Sequence, residues 1–376
     1  MTKDNKKPVY VTRPFLPPLE EFNHYLEKIW HNQILTNGGP FHEELEQRLA
    51  QYLGVEHVSL FSNGTLALIT ALQALEIAGE VITTPYSFVA TTHALHWNRL
   101  TPVFVDIEPD HLTLDPAKIE AAITEHTKAI LPVHCYGYPC KVEAIQKIAD
   151  KHGLKVIYDA AHAFGVRYRS QGLLAHGDLA VLSFHATKVF NTFEGGAIIS
   201  RDAATKLKID QLKNFGSIDE TTIALPGINA KMSEVNAAMG LLQMQYLDSI
   251  FAERQRVDQR YRELLRDVAH VSCLLPPEQT QWNHAYFPIL INPGFPIDRD
   301  ELYQRMRASE VYARRYFYPL ISEFPAYSHL PSAPGDNLPV ATEMTRRILA
   351  LPIYPSLTEE DQDRVVDIIR SASRRP

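Results

Sequence analysis

Lys188 stands out because it lies in the middle of SFHATKVFNTFEGG (183–196), a stretch that begins like a buried strand and ends in a glycine pair. A lysine sheltered from water has a lowered pKa, since desolvation disfavours the ammonium form. Such an amine is nucleophilic and can form an imine with an aldehyde. A lysine that reaches water from a loop would give the same local pattern, and this is the commoner fate of a single lysine.

Three further segments carry groups suited to related chemistry. SNGT (62–65) follows an apolar run and precedes a helical segment, so its backbone amides could bind a phosphate at a helix N-terminus. YDAAH (158–162) places Asp159 at the end of a strand-like run, and YSFVATTH (86–93) places Phe88 after another. Each segment also has a purely structural interpretation, as a helix cap, a capping carboxylate or a core ring.

Taken together and in this chain order, the four segments supply what pyridoxal 5′-phosphate (PLP) requires. Asp159 would pair with the protonated pyridine nitrogen and strengthen the ring as an electron sink. Lys188 would form the Schiff base, the helix after SNGT would hold the phosphate, and Phe88 would stack on the ring. Dinucleotide and nucleoside triphosphate motifs are absent. His93 and His96 lack an accompanying carboxylate cluster, so we expect no metal site.

Alternating strands and helices must position these segments. From VSLF (58–61) to GAIIS (196–200), short runs rich in Val and Ile alternate with helical segments and show no polar alternation. That pattern is typical of strands covered on both faces, and it predicts an α/β domain with a mainly parallel sheet. Ligand sites in such sheets collect at the carboxyl ends of the strands. One long helical pattern after Ser233 and the remaining elements predict a smaller C-terminal α+β domain.

Length and composition limit the organisation further. The 376 residues predict a flexible N-terminal arm at 1–12, a large domain at 13–250 and a small domain at 251–376. A net charge of −7 without runs of one sign leaves no electrostatic footprint for nucleic acid or an anionic membrane. The three cysteines lack CxxC spacing and the N-terminus lacks a signal peptide, so we expect a soluble cytoplasmic protein.

Ordered matches along nearly the whole chain identify a family resemblance. The sequence resembles the sugar aminotransferases of the DegT/DnrJ/StrS family, which have the fold type I architecture of aspartate aminotransferase. The matching segments include SNGTLAL (62–68), DAAHAFG (159–165), SFHATKVFNTFEGG (183–196), GINAKMSEVNAAMGL (227–241) and RRYFYPL (314–320). So many matches in one order are more specific than any single motif.

The resemblance implies a role for each site residue. Lys188 would be the Schiff-base lysine and Asp159 the partner of the pyridine nitrogen. His162 would lie near the phenolic oxygen of the cofactor, at a position where many relatives carry Gln. The other implied PLP contacts are Gly64, Thr65, Phe88 and Ser183, with Asn229 contributed to the phosphate site of the neighbouring subunit. The candidate sugar or nucleotide contacts are His185, Arg315, Tyr316 and Tyr318, although structural roles fit the tyrosines equally well.

The resemblance also implies an activity. L-Glutamate would donate an amino group to a nucleotide-linked 4-keto-6-deoxy sugar, in a homodimer with shared active sites. The N-terminal PFLPPLEEF (14–22) is most similar to members that aminate dTDP-4-keto-6-deoxy-D-glucose for O-antigen lipopolysaccharide. Alternatives are a 3-keto sugar, a UDP or GDP sugar, a dehydratase or a non-catalytic sensor. Lys188 favours transamination, because the dehydratases of the family carry histidine at that position.

Overall fold

The computed structural model describes residues 7–374. The α-helices are α1 Leu19–Asn32, α2 Pro40–Leu53, α3 Gly64–Ala74, α4 Ala90–Trp97, α5 Pro116–Ile119, α6 Val142–His152, α7 Ala203–Leu212, α8 Glu234–Met244, α9 Leu247–Leu265, α10 Arg299–Ala308, α11 Pro339–Arg347 and α12 Glu359–Ser373. The strands are β1 Val9–Tyr10, β2 His57–Phe61, β3 Glu80–Thr83, β4 Thr101–Phe104, β5 Thr127–Leu131, β6 Lys155–Asp159, β7 Arg167–Tyr168, β8 Gln171–Gly172, β9 Leu179–Ser183, β10 Gly196–Ser200, β11 Val271–Cys273, β12 Thr280–Gln281, β13 Phe287–Ile291, β14 Val311–Tyr312 and β15 Ile348–Leu351.

A seven-stranded mixed sheet organises the N-terminal two thirds of the chain, in the order β2-β10-β9-β6-β5-β3-β4. Neighbouring strands from β9 to β4 run parallel, whereas β10 runs antiparallel to both β2 and β9. β10 reverses direction because the loop 184–195 joins it to β9 without a crossover helix. The predicted α/β fold with a mainly parallel mixed sheet is confirmed.

Helices cover both faces of this sheet. Along β9, Ala180 and Leu182 belong to one apolar core with side chains of α2, α6 and α8. Leu179 and Val181 belong to a second core on the opposite face, with side chains of α3, α4 and α7. Because both sets of alternate residues are buried, the strands need no polar positions, and this explains the unbroken apolar runs in the sequence.

The C-terminal part of the chain has a core of its own. Its antiparallel sheet has three strands in the order β11-β13-β15, and α9, α10 and α12 pack around it. Residues from distant segments, such as Val257, Leu302 and Val365, meet in this core. We propose that the large and small units join along α9, which runs through the boundary expected near residue 250.

The N-terminal segment differs from the expected loose arm. Residues 1–6 lie outside the described part of the chain. Val9 and Tyr10 form β1, which pairs in parallel with Val311 and Tyr312 of β14. Val9 is only 1% exposed and packs into the C-terminal core. Strand pairing and burial therefore fix this short segment on the small unit, although nothing in its local sequence indicates a partner.

The single long helix expected after Ser233 is also a correction, because the chain forms two helices there. α8 ends at Met244 and α9 begins at Leu247. The amide of Tyr246 donates to the Gln243 carbonyl at 3.0 Å, so the i to i+4 pattern of hydrogen bonds stops. The break contains no Gly or Pro, and the Tyr246 hydroxyl donates to Glu21 of α1 at 2.6 Å. Within residues 7–374, no helix combines the length and apolar character needed to cross a membrane.

Candidate active site

Four strand ends meet at one edge of the central sheet. β6 lies parallel to β9, with Asp159 in register with Val181, and Lys188 follows β9 in the loop to β10. Because β10 is antiparallel, its first residue, Gly196, lies opposite Phe61 at the end of β2. A cavity of about 1560 Å³ opens at this edge. The predicted site residues that line it are Gly64, Thr65, Phe88, Asp159, His162, Ser183, His185, Lys188 and Tyr316.

The Lys188 side chain lines this cavity and is partly buried. Its Nζ donates a hydrogen bond to the Tyr286 hydroxyl at 3.4 Å. Burial lowers the pKa of Lys188 to about 8, and the nearby Asp159 carboxylate opposes this shift. With a pKa of about 8, roughly a tenth of the amine is neutral at about pH 7. The lowered pKa and the position in the cavity are consistent with the sheltered amine that the sequence pattern predicts, and the nucleophilic role of Lys188 stays a prediction.

Asp159 is a buried carboxylate, 5% exposed, at the end of β6. Its Oδ2 accepts a hydrogen bond from the Thr91 hydroxyl at 2.7 Å and its Oδ1 accepts one from the Ala161 amide at 3.1 Å. Burial raises the pKa of Asp159, whereas these hydrogen bonds and the charge of Lys188 lower it. A carboxylate desolvated to this degree suits a ligand cation such as a protonated pyridine nitrogen.

The first turn of α3 forms the third side of the site. The Asn63 side chain caps this helix by accepting from the Leu66 amide at 2.9 Å, so the amides of Gly64 and Thr65 remain for a ligand. A Cβ added at Gly64 would lie 3.0 Å from the Ser183 Cβ. Because Gly64 has no side chain, β9 can approach the N-terminus of α3. Backbone amides and the helix dipole favour an anion there.

Gly196 brings β10 against the same turn. A Cβ added there would lie 2.8 Å from the Asn63 carbonyl carbon and from the Gly64 nitrogen. These are backbone atoms that cannot move without shifting the start of α3. The Asp159 carboxylate can accept from a protonated pyridine nitrogen, the Lys188 amine can meet an aldehyde, and the backbone amides of this helix turn can donate to a phosphate. The residues present therefore fit PLP.

We expect Gly196→Ala to weaken binding of PLP by about 10- to 100-fold, because overpacking of this kind costs about 1–3 kcal/mol and the strain falls on the anion-binding turn. Absorbance titration with PLP measures the dissociation constant, and thermal unfolding reports the global cost. Gly335→Ala is a matched control, since its added Cβ would meet only the Thr342 side chain, at 3.3 Å. Unchanged PLP affinity in a folded Gly196→Ala protein would contradict this account of the turn.

His162 presents a defined face to the cavity. Its Nδ1 accepts a hydrogen bond from the Tyr136 amide at 3.1 Å, so a neutral ring carries its proton on Nε2. Burial lowers the pKa of His162 well below its ordinary value, and the ring therefore stays neutral. Phe88 is 61% exposed although it is apolar, and it lines the cavity with a free ring face. Between them, the His162 and Phe88 side chains leave room in the cavity for a flat ring that carries a polar substituent.

His185 and Tyr316 lie at the cavity wall. His185 shares a hydrogen bond between Nδ1 and the Thr187 hydroxyl at 2.7 Å, and its Nε2 is 3.6 Å from a Glu194 carboxylate oxygen. The Tyr316 ring packs edge-on against Tyr286, with centroids 5.9 Å apart. Both side chains could contact a ligand larger than the cofactor.

Three predicted residues lie elsewhere in the subunit. The Asn229 side chain is exposed, and its Oδ1 accepts from Lys231 Nζ at 2.8 Å. Arg315 donates to an Asp300 carboxylate oxygen at 2.8 Å, and its guanidinium lies 4.7 Å from the centroid of the Tyr318 ring. None of the three lines the cavity, so their roles as site residues stay predictions.

The side chains of His93 and His96, considered above as metal ligands, make other contacts. The His93 ring shares a hydrogen bond with the Tyr327 hydroxyl, and the His96 ring packs on the same tyrosine with centroids 6.4 Å apart. In the described range, 7–374, no three metal-ligating side chains come together.

Two residues of the site were not predicted from the sequence. Thr91 bonds to Asp159 and lies three positions after Phe88, so the i, i+3 spacing at the start of α4 is a signal that could have found it. Tyr286 contacts Lys188 but comes from the segment before β13. No local pattern marks it, because the contact depends on how the C-terminal unit packs.

Comparison with known proteins identifies the family of the chain. The model of the DegT/DnrJ/EryC1/StrS aminotransferase family matches residues 19–370. The dTDP-4-amino-4,6-dideoxy-D-glucose transaminase of Escherichia coli is 55% identical over 359 residues, 95% of this chain and 96% of the relative. The transaminase of the same name from Shigella dysenteriae is 54% identical over 367 residues, 97% and 99% of the two chains.

A solved structure supports the fold independently. The structure of DesI in the presence of its TDP-sugar product has a TM-score of 0.94 and 37% sequence identity, and the match covers 98% of this chain and 94% of that chain. It confirms the aspartate-aminotransferase-like fold type I that the sequence resemblance implied. The chain belongs to the DegT/DnrJ/EryC1/StrS aminotransferase family.

Proposed function

We propose that the protein is a PLP-dependent aminotransferase that moves the amino group of L-glutamate to C4 of dTDP-4-keto-6-deoxy-D-glucose. The product would be dTDP-4-amino-4,6-dideoxy-D-glucose. The observation that carries the proposal is the single cavity that holds the Lys188 amine, the Asp159 carboxylate and the free first turn of α3. The two relatives of more than half identity, named for this sugar, support the choice of acceptor.

The residues of the cavity would hold PLP at three points. Asp159 would pair with the pyridine nitrogen, and the amides of Gly64 and Thr65, with Ser183, would bind the phosphate. Phe88 would cover one face of the ring. When bound, PLP supplies an electron sink for negative charge at the carbon next to the transferred nitrogen.

Lys188 would do the proton chemistry. With a pKa lowered to about 8 by burial, its amine can remove a proton near neutrality and its ammonium form can return one. Nζ would take the proton from the α-carbon of glutamate in the first half-reaction. In the second half-reaction it would deliver a proton to C4 of the sugar. One amine serves both halves because donor and acceptor occupy the same place in turn.

His162 would act as a hydrogen-bond donor. Because Nδ1 is engaged by the Tyr136 amide, Nε2–H is the remaining donor of the His162 ring, and His162 lines the cavity. The neutral ring adds no positive charge beside Lys188, whose pKa an imidazolium would lower further. We assign Nε2–H to the phenolic oxygen of the cofactor.

We further propose a cytoplasmic homodimer with shared active sites, working in O-antigen lipopolysaccharide synthesis. Support for an interface near the cavity comes from large apolar side chains left exposed in the single subunit. These include Trp97, Phe193, Phe215 and Ile223. Asn229 lies exposed on the stretch that follows Phe215 and Ile223, where it could complete a neighbouring subunit's phosphate site. Sedimentation equilibrium of the purified protein tests the dimer.

Amination of a panel of keto sugars tests the proposed reaction. The panel holds dTDP-4-keto-6-deoxy-D-glucose, its 3-keto isomer and the UDP- and GDP-linked 4-keto sugars, each with L-glutamate. Mass spectrometry detects the amino sugar, and NMR assigns the aminated carbon. We expect kcat/KM to favour the dTDP 4-keto sugar by at least about tenfold. Preference for another member would transfer the assignment to that sugar, and amination of none by PLP-loaded protein would favour a dehydratase or a sensor.

A further inference from the structure

A side chain from the C-terminal unit contacts the reactive amine of the large unit. Tyr286 immediately precedes β13, and its hydroxyl accepts a hydrogen bond from Lys188 Nζ at 3.4 Å. We propose that Tyr286 is a positioning residue, which holds the Lys188 amine in the cavity whenever that amine is not covalently bound and which favours its ammonium form. This positioning role of Tyr286 rests on the proposed function.

The length of this contact suits a group that must move. At 3.4 Å the hydrogen bond is longer than the usual range of about 2.7–3.2 Å for strong N–H···O bonds. Such a bond gives the amine a preferred direction without preventing it from leaving. The Lys188 amine has to leave this position to reach a substrate carbon and to return afterwards. Tyr286 would therefore define its resting place.

A buried arginine fixes the backbone that leads into Tyr286. Arg254 is 3% exposed, and its Nη1 donates to the carbonyls of His284 at 3.2 Å and Ala285 at 3.3 Å. The same nitrogen donates to the Ile353 carbonyl at 3.3 Å. Nη1 has two N–H groups and shares them among three carbonyls, whereas the buried Nε has no partner. These bonds link the two residues before Tyr286 to the segment that carries Ile353.

Asn283 ties the same segment to the large unit. Its Nδ2 donates to the carbonyls of His162 at 2.9 Å and Phe164 at 3.0 Å, both in the loop after β6. Its Oδ1 accepts from the Ala285 amide at 3.1 Å. The Tyr286 ring then packs on the His162 ring, with centroids 4.6 Å apart. The Tyr286 phenol is thus held against the loop that follows β6, the strand that ends at Asp159.

The chemistry of a phenol sets the direction of its effect. A hydroxyl can accept from an ammonium group and can donate to a neutral amine. Hydrogen bonds to charged groups are the stronger, so Tyr286 favours the ammonium form of Lys188. Burial raises the pKa of Tyr286 far above its ordinary value, which keeps the hydroxyl protonated and excludes it as a general base.

Other titratable groups also surround the amine. The Asp159 carboxylate interacts electrostatically with Lys188 and favours its ammonium form. The other titratable groups near the amine are kept neutral by burial, and they are Cys135, His162 and Tyr316. Tyr286→Phe changes none of these groups and keeps the packed ring. A change in the titration of Lys188 in this variant can therefore be assigned to the hydroxyl.

The test is the pH dependence of Lys188 acetylation in wild-type and Tyr286→Phe proteins. Full-length protein is saturated with pyridoxamine 5′-phosphate, which has no aldehyde to occupy Lys188, and is labelled with acetic anhydride. Peptide mass spectrometry then quantifies modification of Lys188. We expect the pKa of Lys188 to fall by about 0.5–1 unit and its labelling at about pH 7 to rise about three- to fivefold. Turnover should show kcat reduced by at least about tenfold, with KM little changed.

Tyr138→Phe is the matched control. It removes another buried phenol hydroxyl, which donates to the Leu274 carbonyl at 3.3 Å and does not line the cavity. We expect this variant to keep the wild-type titration of Lys188 and the wild-type kcat. An identical Lys188 pKa in Tyr286→Phe and wild type would overturn the proposal. The same labelling repeated on coenzyme-free protein separates this proposal from the proposed function, because it reports on Tyr286 even if the protein aminates no sugar.

Discussion

Lys188→Ala is expected to abolish amino transfer while the fold remains intact. The variant loses both the nucleophile that binds the cofactor aldehyde and the group that moves the proton, so kcat should fall by at least about 10⁴-fold. Removing a buried amine that makes one long hydrogen bond should cost little stability. Amino-sugar formation followed by mass spectrometry measures kcat, and circular dichroism with thermal unfolding checks the fold.

A surface lysine provides the control for this variant. Lys208 Nζ pairs with Glu76 at 2.6 Å outside the cavity, and Lys208→Ala should keep wild-type turnover. Borohydride treatment of PLP-loaded wild-type protein should add the mass of the reduced cofactor to the Lys188 peptide. Absence of that adduct would favour the dehydratase alternative, and wild-type turnover by Lys188→Ala would remove the residue from the mechanism.

Asp159→Asn is expected to slow both half-reactions by about 10²- to 10³-fold, the usual range for loss of one aligned electrostatic group. A carboxylate opposite the pyridine nitrogen favours its protonated form, whereas a neutral amide does not. Thr91 and the Ala161 amide would still hold an asparagine in the same place, so the cavity should keep its shape. Stopped-flow absorbance of PLP-loaded protein with glutamate measures the first half-reaction.

Asp106→Asn separates this effect from the general loss of a buried carboxylate. Asp106 is 1% exposed and accepts from the amides of Val340 at 3.0 Å and Ala341 at 2.8 Å, away from the cavity. We expect its replacement to lower thermal stability and to leave kcat near the wild-type value. An unchanged half-reaction rate in Asp159→Asn would mean that another group holds the ring nitrogen.

Much of the site could be predicted because its residues lie at the ends of apolar strands. Asp159 and Ser183 close β6 and β9, and the turn after β2 begins α3. In an open α/β sheet the carboxyl ends of parallel strands share one edge, so the order of segments along the chain already implies that they meet. The same pattern predicts a sheltered Lys188, because the loop that carries it joins two strands that are covered on both faces.

Other features depended on contacts between segments far apart in the chain. At the helix break, Tyr246 bonds to Glu21, and at the N-terminal strand, Val9 pairs with Val311, so both features contact residues more than two hundred positions away in sequence. The spacing of apolar residues within one segment does not indicate such distant partners. At the helix break this spacing continues without interruption, because neither Gly nor Pro is present. Arg315 and Tyr318 lie in a family motif, yet Arg315 pairs with Asp300 and lies over the Tyr318 ring, and neither residue lines the cavity.

By itself, the sequence determined the fold class and the chemical tools, because apolar periodicity and the order of short motifs are local properties of the chain. It also placed a lysine, an aspartate and a helix N-terminus where parallel strands end. Tertiary structure alone decided how strongly the Lys188 pKa falls, which tautomer His162 holds and which hydroxyl meets the amine. Desolvation and hydrogen bonds between separate segments of the chain set these properties, and both depend on packing that no single segment encodes.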